Sequence, residues 1–252
     1  MNTLLQQKPQ VNLCTIGIEG SGKTTLTAAI LKATRGRGLR ATPPEQLDMG
    51  STKTCQHVEF ETEKRRYSLT DIPANPEHLT DMIASTCVMD GAIMVIDAIR
   101  GVMPQLRVHQ EIMRYIAYIP SEVVYLNQNA PEPDDVTEGV VRLEAIDQLD
   151  SVGHSDETPI VSGSALADNY ASIIELLDAI DDWIPTPNRE MHPPFLLPFD
   201  RIIERNGDVT VVEGRTERSR VNTGDRLELI GMREEKLTAT VQKIKLSGRD
   251  VQ

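Results

Sequence analysis

Apolar residues along the first two thirds of the chain switch between the period of a strand and the period of a helix. Residues 11–16 fit a β-strand, and Gly17, Gly20 and Gly22 follow at once. From residue 23 to 34 the apolar positions Leu26, Ile30 and Ala33 share one helical face, and Gly36 and Gly38 then end the helix. Residues 41–54 are polar, contain proline and read as a loop. Two short strands follow at 57–61 and 66–70, joined by a tight turn. Residues 91–97 form an unbroken apolar run, the pattern of a parallel strand covered on both faces. Leu106, Ile112, Met113 and Ile116 mark a covering helix, residues 123–126 another buried strand, and residues 136–149 another amphipathic helix. A last strand is predicted at 159–161, and a last helix carries Ile173, Leu176, Leu177 and Ile180.

Strands alternating with helices predict a doubly wound α/β domain with a mostly parallel sheet, over residues 1–184. The proline-dense stretch 185–194 predicts a stiff linker. Beyond it the pattern changes. Short β-like runs at 209–212, 226–230 and 237–244 alternate with Asn206-Gly207 and Thr223-Gly224-Asp225 turns, so residues 195–252 are expected to form a separate all-β module.

Composition narrows the class. The 252 residues are 39% hydrophobic and 25% charged, as in ordinary globular domains, and the run Ala92-Ile93-Met94-Val95-Ile96 is too short to span a bilayer. A cytoplasmic protein with neither membrane nor DNA as partner is expected. A formal net charge of −12 excludes indiscriminate nucleic-acid binding by the whole surface, although the stretch from Arg35 to Arg40 is locally basic. Cys14, Cys55 and Cys87 have no paired metal spacing and read as small, partly buried thiols. His57, His78, His109, His154 and His192 are scattered, with no helical pair at metal-ligand spacing. Asp134, Asp135 and Glu138 read as a solvated helix N-terminus, and Asp181-Asp182 as a helix end.

The strongest chemical signal is Gly17-Ile18-Glu19-Gly20-Ser21-Gly22-Lys23-Thr24, between a predicted strand and a predicted helix. Polyphosphate needs backbone N–H donors wrapped closely around it, which glycines permit, and helix N-terminal amides favour an anion. Lys23 is placed to reach the terminal phosphates, and the Thr24 hydroxyl to ligate Mg²⁺, with Thr25 beside it in the first helical turn. The four-position pattern arises by chance in about one chain in a hundred of this length, and the flanking elements make coincidence rarer still.

The longer runs Lys8-Pro9-Gln10-Val11-Asn12, Gly22 to Ile30, His57 to Arg65, Met89-Asp90-Gly91-Ala92-Ile93, Met103-Pro104-Gln105, Gly163-Ser164-Ala165-Leu166 and Pro194-Phe195-Leu196-Leu197-Pro198 together resemble the bacterial elongation factor Tu family. That resemblance implies a translational GTPase domain followed by a β-barrel domain, with GTP/GDP and Mg²⁺ as ligands and the ribosome and aminoacyl-tRNA as partners. It implies that Thr52 completes the metal shell with Thr24, and that Asp71 holds a metal-bound water. It further implies that Asn127 and Gln128 belong to the base-reading loop, and that Ser164, Ala165 and Leu166 present an amide to the base. On the same comparison the barrel is incomplete at Gln252, and its unpaired edges call for a covering protein.

This chain departs from the family pattern at informative places. The family's Asp-Cys-Pro-Gly-His reads Asp71-Ile72-Pro73-Ala74-Asn75 here, so the water-positioning histidine is Asn75. Glu19 and Ser51 stand where the family has an apolar gate, and Met49 replaces an arginine. The family's Asn-Lys-x-Asp is Asn127-Gln128-Asn129-Ala130, without the carboxylate that accepts two N–H bonds from guanine. The expectation is Mg²⁺-dependent GTP binding and slow hydrolysis, in which Lys23 neutralises the transferring charge, Thr52 holds the metal with Thr24, Asp71 anchors the metal's water and Asn75 takes the water-orienting position. The alternatives are a degenerate paralogue that binds without turnover, and an NTPase of relaxed base specificity.

Overall fold

The computed structural model describes residues 8–49, 55–72, 89–115, 119–128, 135–188, 194–207, 209–214, 216, 218–231, 237–246 and 249–251. They divide into two compact units, Met1–Pro187 and Asn188–Gln252.

In the first unit the described elements run β1 (Gln10–Ile16), α1 (Lys23–Gly36), a 3-10 turn (Pro44–Gln46), β2 (Gln56–Glu61), β3 (Arg66–Asp71), β4 (Gly91–Asp97), α2 (Pro104–Tyr115), β5 (Glu122–Asn127), α3 (Asp135–Ser151), β6 (Ile160–Gly163) and α4 (Ala171–Trp183). The sheet order is β2-β3-β1-β4-β5-β6. Every pair is parallel except β2 with β3. After β1 the chain goes to one side for β2 and β3, then crosses to the other for β4 to β6. The carboxyl end of β1 is therefore a switch point, the place where open α/β sheets bind ligands.

The unbroken apolar runs have a simple cause: every residue of β4 and of β5 is buried. Alternate residues feed two cores. One holds Leu13, Ile93, Val95 and Tyr125 with Leu26 and Ile30 of α1 and Ile173 and Leu177 of α4. The other holds Cys14, Ile16, Met94, Ile96 and Val124 with Leu106 and Met113 of α2 and Val141 and Leu149 of α3. Cys14 is fully buried, and that burial pushes its thiol far above the usual range, which removes thiolate reactivity.

Asp181 lies in the last turn of α4, the helix end that its sequence suggests. It is buried, and its Oδ1 accepts hydrogen bonds from Tyr67 Oη at 2.5 Å and Thr62 Oγ1 at 2.9 Å. The carboxylate thus ties α4 to the β2–β3 hairpin, where Phe60 and Tyr67 stack at 5.0 Å. Burial and the Asp181 carboxylate both push the Tyr67 phenol strongly up. Neighbouring Asp182 does behave as a surface group, pairing with exposed Lys64. Arg65 Nη1 donates to the Ile184 carbonyl at the end of the same helix.

The second unit contains β7 (Phe199–Asn206), β8 (Val209–Gly214), β9 (Arg226–Leu229), β10 (Leu237–Thr240), β11 (Ile244–Leu246) and β12 (Arg249–Val251). They pair antiparallel as β7–β8, β9–β10 and β11–β12. Strand β7 is absent from the sequence expectation because its alternation is broken: the register with β8 shifts between Ile202 and Glu204. The expected run 237–244 is split: one strand ends at Thr240 and the next begins at Ile244, although Val241 still exchanges backbone hydrogen bonds with Gly224 and Asp225. All the buried apolar side chains among the described residues lie at or before Ile184. None of the described helices is long and apolar enough to cross a membrane.

Candidate functional site

Parallel register brings the carboxyl ends of the central strands to one edge. Thr15 lies beside Asp71, Asp97 beside Asn127, and Asn127 beside Gly163. Above that edge the chain from Gly17 to Gly22 turns back before α1 begins, with Ser21 N donating to the Ile18 carbonyl at 3.3 Å and Leu26 N to the Gly22 carbonyl at 2.8 Å. Glycine is required here by space and by angle. A Cβ on Gly17 would sit 2.6 Å from the Val95 carbonyl oxygen; one on Gly22, at φ 92°, would sit 2.1 Å from Asn127 Nδ2. The N-terminus of α1 has no side-chain cap and no acidic residue in its first turn. Its backbone donors and dipole are thus presented to an anion rather than to a carboxylate of the chain itself.

Lys23 folds back over this loop, its Nζ donating to the Gly17 and Ile18 carbonyls at 3.0 Å each. The side chain is buried, and burial lowers its pKa to about 8 against the opposing pull of Asp71 and Glu19. The ammonium is already desolvated and held at the mouth of the loop. Asp71, at the end of β3, accepts from Thr15 Oγ1 through Oδ1 and from Thr24 Oγ1 through Oδ2, both at 2.6 Å. A carboxylate and a hydroxyl this close form a set of hard oxygen donors suited to Mg²⁺, so Thr24 and Asp71 fit the metal role.

The opposite end of the site is bonded to itself. Buried Asn127 donates from Nδ2 to the Ser21 carbonyl at 2.9 Å and accepts from Ala165 N through Oδ1 at 3.1 Å, tying the phosphate loop to the Ser164–Leu166 segment. Leu166 N donates to Ser164 Oγ at 3.2 Å. The amides of Ala165 and Leu166, expected to face a base, therefore both have partners within the chain. Gln128 donates from Nε2 to Glu138 Oε2 at 2.7 Å, and its own amide to the Gly163 carbonyl at 2.8 Å. Glu138, expected in a solvated helix start, is engaged by Gln128 and lies 3.8 Å from Arg142.

The structure therefore assembles Gly17, Glu19, Gly20, Ser21, Gly22, Lys23, Thr24 and Thr25 with Asp71 at one end, and Asn127, Gln128, Ser164, Ala165 and Leu166 at the other. Thr52 and Asn75 lie outside the described residues, as do Ser51, Ala74, Cys87, His78, His192, Asn129, Ala130 and Asp134. Three contributors escaped the sequence reading. Thr15 anchors Asp71, and only strand register reveals it. Arg100 donates from Nη1 to the Glu19 carbonyl at 3.1 Å, and its position follows from the Asp97 turn. His109, buried on α2, has its pKa lowered by burial and by the charge of Lys23.

A glycine-lined turn at the switch point of a parallel sheet, an uncapped helix start, a desolvated ammonium and a paired hydroxyl–carboxylate define a P-loop nucleotide-binding protein. Residues 8–186 match the family model described as "Elongation factor Tu GTP binding domain". The chain belongs to this GTP-binding family of translational GTPases, whose members bind guanine nucleotides, usually with Mg²⁺.

Proposed function

We propose that this chain is an elongation-factor-Tu-like GTPase that binds Mg²⁺·GTP and hydrolyses it slowly to GDP and phosphate, acting with the ribosome and aminoacyl-tRNA. The observation that carries the reading is the phosphate cradle: the Gly17–Gly22 turn, Lys23 across its mouth, and Thr24 paired with Asp71. In it, backbone amides at the start of α1 orient the polyphosphate, and Lys23 leaves the Gly17 and Ile18 carbonyls to neutralise the terminal phosphate. Thr24, Asp71 and Thr52 are the residues that would hold Mg²⁺, which when bound supplies further charge neutralisation. In the sequence pattern Asn75 replaces the family's water-positioning histidine; an asparagine can hydrogen-bond a water but carries no positive charge. The domain division at residues 1–184, 185–194 and 195–252, and a protein covering the second domain, belong to the same proposal.

Single-turnover hydrolysis of γ-phosphate-labelled GTP, with and without ribosomes, tests it. Ribosome-stimulated phosphate release that Lys23→Ala abolishes is the expected result. Tight GTP binding with no release under either condition would replace it with a second reading, binding without turnover, which Asn75 favours. The self-bonded base end favours relaxed base selection, and competition between GTP and ATP measures it.

A further inference from the structure

The loop closes on itself through one hydrogen bond, Ser21 N to the Ile18 carbonyl, with Glu19 and Gly20 at the two central positions of the turn. Gly20 has φ 79°, the third-residue value of a type II turn. Type I and type II turns differ by a flip of the central peptide plane, and glycine at the third position accepts either form. The Glu19–Gly20 peptide is therefore a unit of this loop whose direction the local backbone leaves open.

Arg100 closes that freedom. Its Nη1 lies 3.1 Å from the Glu19 carbonyl oxygen, and a Cβ on Gly20 would meet the same nitrogen at 3.3 Å. The residue is itself well anchored. Asp97 Oδ1 accepts from both Ile99 N and Arg100 N at 2.9 Å, and Glu144 Oε2 accepts from Val102 N at 3.1 Å. In a planar trans peptide the carbonyl and the N–H point in opposite directions. A guanidinium that holds the Glu19 oxygen outward therefore turns the Gly20 N–H inward. A charge-assisted bond to the oxygen also polarises the amide and strengthens its N–H as a donor. The peptide is adjacent to the Gly17 and Ile18 carbonyls that Lys23 grips, at the end of the loop meant for terminal phosphates.

We propose that Arg100 is a positioning residue of the phosphate site: by gripping the Glu19 carbonyl from outside, it holds the central peptide of the loop so that the Gly20 N–H faces the polyphosphate. This deepens the nucleotide reading of the site and rests on it. Arg100 touches no substrate in this role; it acts through a backbone amide.

The test is isothermal titration of GDP and GTP, in magnesium buffer, into the full chain carrying Arg100, R100M or R100K. Because Arg100 is exposed, its bond competes with water, and R100M is expected to weaken GTP binding by roughly three- to tenfold. That loss is expected to persist in roughly 0.5 M salt, where long-range attraction between exposed charges is screened. R100K, which keeps a donor at the tip of the side chain, is expected to recover most of it. Affinity in R100M within twofold of wild type overturns the proposal, as does a loss that disappears at high salt or one that R100K does not recover. Absence of binding in the wild-type chain itself overturns the nucleotide reading, and the role of Arg100 with it.

Discussion

At the phosphate end of the site, helix-start amides and a buried ammonium are held ready for an anion. At the base end, Asn127, Gln128 and the amides of Ala165 and Leu166 are spent on one another and on Glu138. The first arrangement depends on backbone shape, which a handful of glycines specify. The second depends on side chains that can rebond, and each internal hydrogen bond a base must displace returns only about 1 kcal/mol net when replaced. Affinity is thus expected to come chiefly from polyphosphate, with guanine recognition weakened. A site can keep its electrostatic clamp after its reading head has changed.

The harshest way to break the contrast is Lys23→Ala, which removes the desolvated ammonium. GTP and ATP affinities are expected to fall together by about a hundredfold in isothermal titration. A loss confined to one nucleotide would place the binding energy at the base end instead. Gly22→Ala strikes the joint between the ends, because its Cβ would collide with Asn127 Nδ2 and sit at φ 92°. Thermal melts should show about 2–3 kcal/mol of destabilisation.

Acidity sharpens the comparison further. Lys23 loses its proton near pH 8 in the empty folded protein but near 10.5 when unfolded. Between those values the unfolded chain binds more protons, so the empty fold gains stability as pH rises. Triphosphate binding needs the ammonium and should weaken over the same window, by about tenfold from pH 8 to 9 at most, and Lys23→Arg should flatten the profile. At the base end, Ala130→Asp restores a carboxylate acceptor and is expected to raise the GTP-to-ATP affinity ratio by about tenfold. Gln128→Ala, whose amide is turned to Glu138, should move either affinity by less than about twofold.

Much of the first unit was legible from periodicity. The fully buried β4 and β5 read as apolar runs because both faces are covered, and the glycine-rich loop announced itself because phosphate chemistry restricts which residues fit. Ends of elements moved by a residue or two, as hydrogen-bonded boundaries do. What the sequence hid depends on the third dimension. Asp181 reads only as part of a helix end, yet Tyr67 and Thr62 arrive from far along the chain to bond it. The engagement of Gln128 with Glu138 was equally invisible, since nothing in either residue's neighbours encodes the meeting. Strand β7 was lost for the opposite reason: its bulge spoils the alternation by which strands are found.

The grip of Arg65 on the Ile184 carbonyl, beside the Asp181 knot, fastens the residue at which the chain leaves its last helix. A helix terminus ordinarily frays, and a pull on the following segment would unravel it turn by turn. Here the exit is moored to a β-hairpin by a guanidinium, two hydroxyls and a carboxylate. A pull on the chain beyond Ile184 is therefore expected to load the β2–β3 hairpin together with the helix terminus.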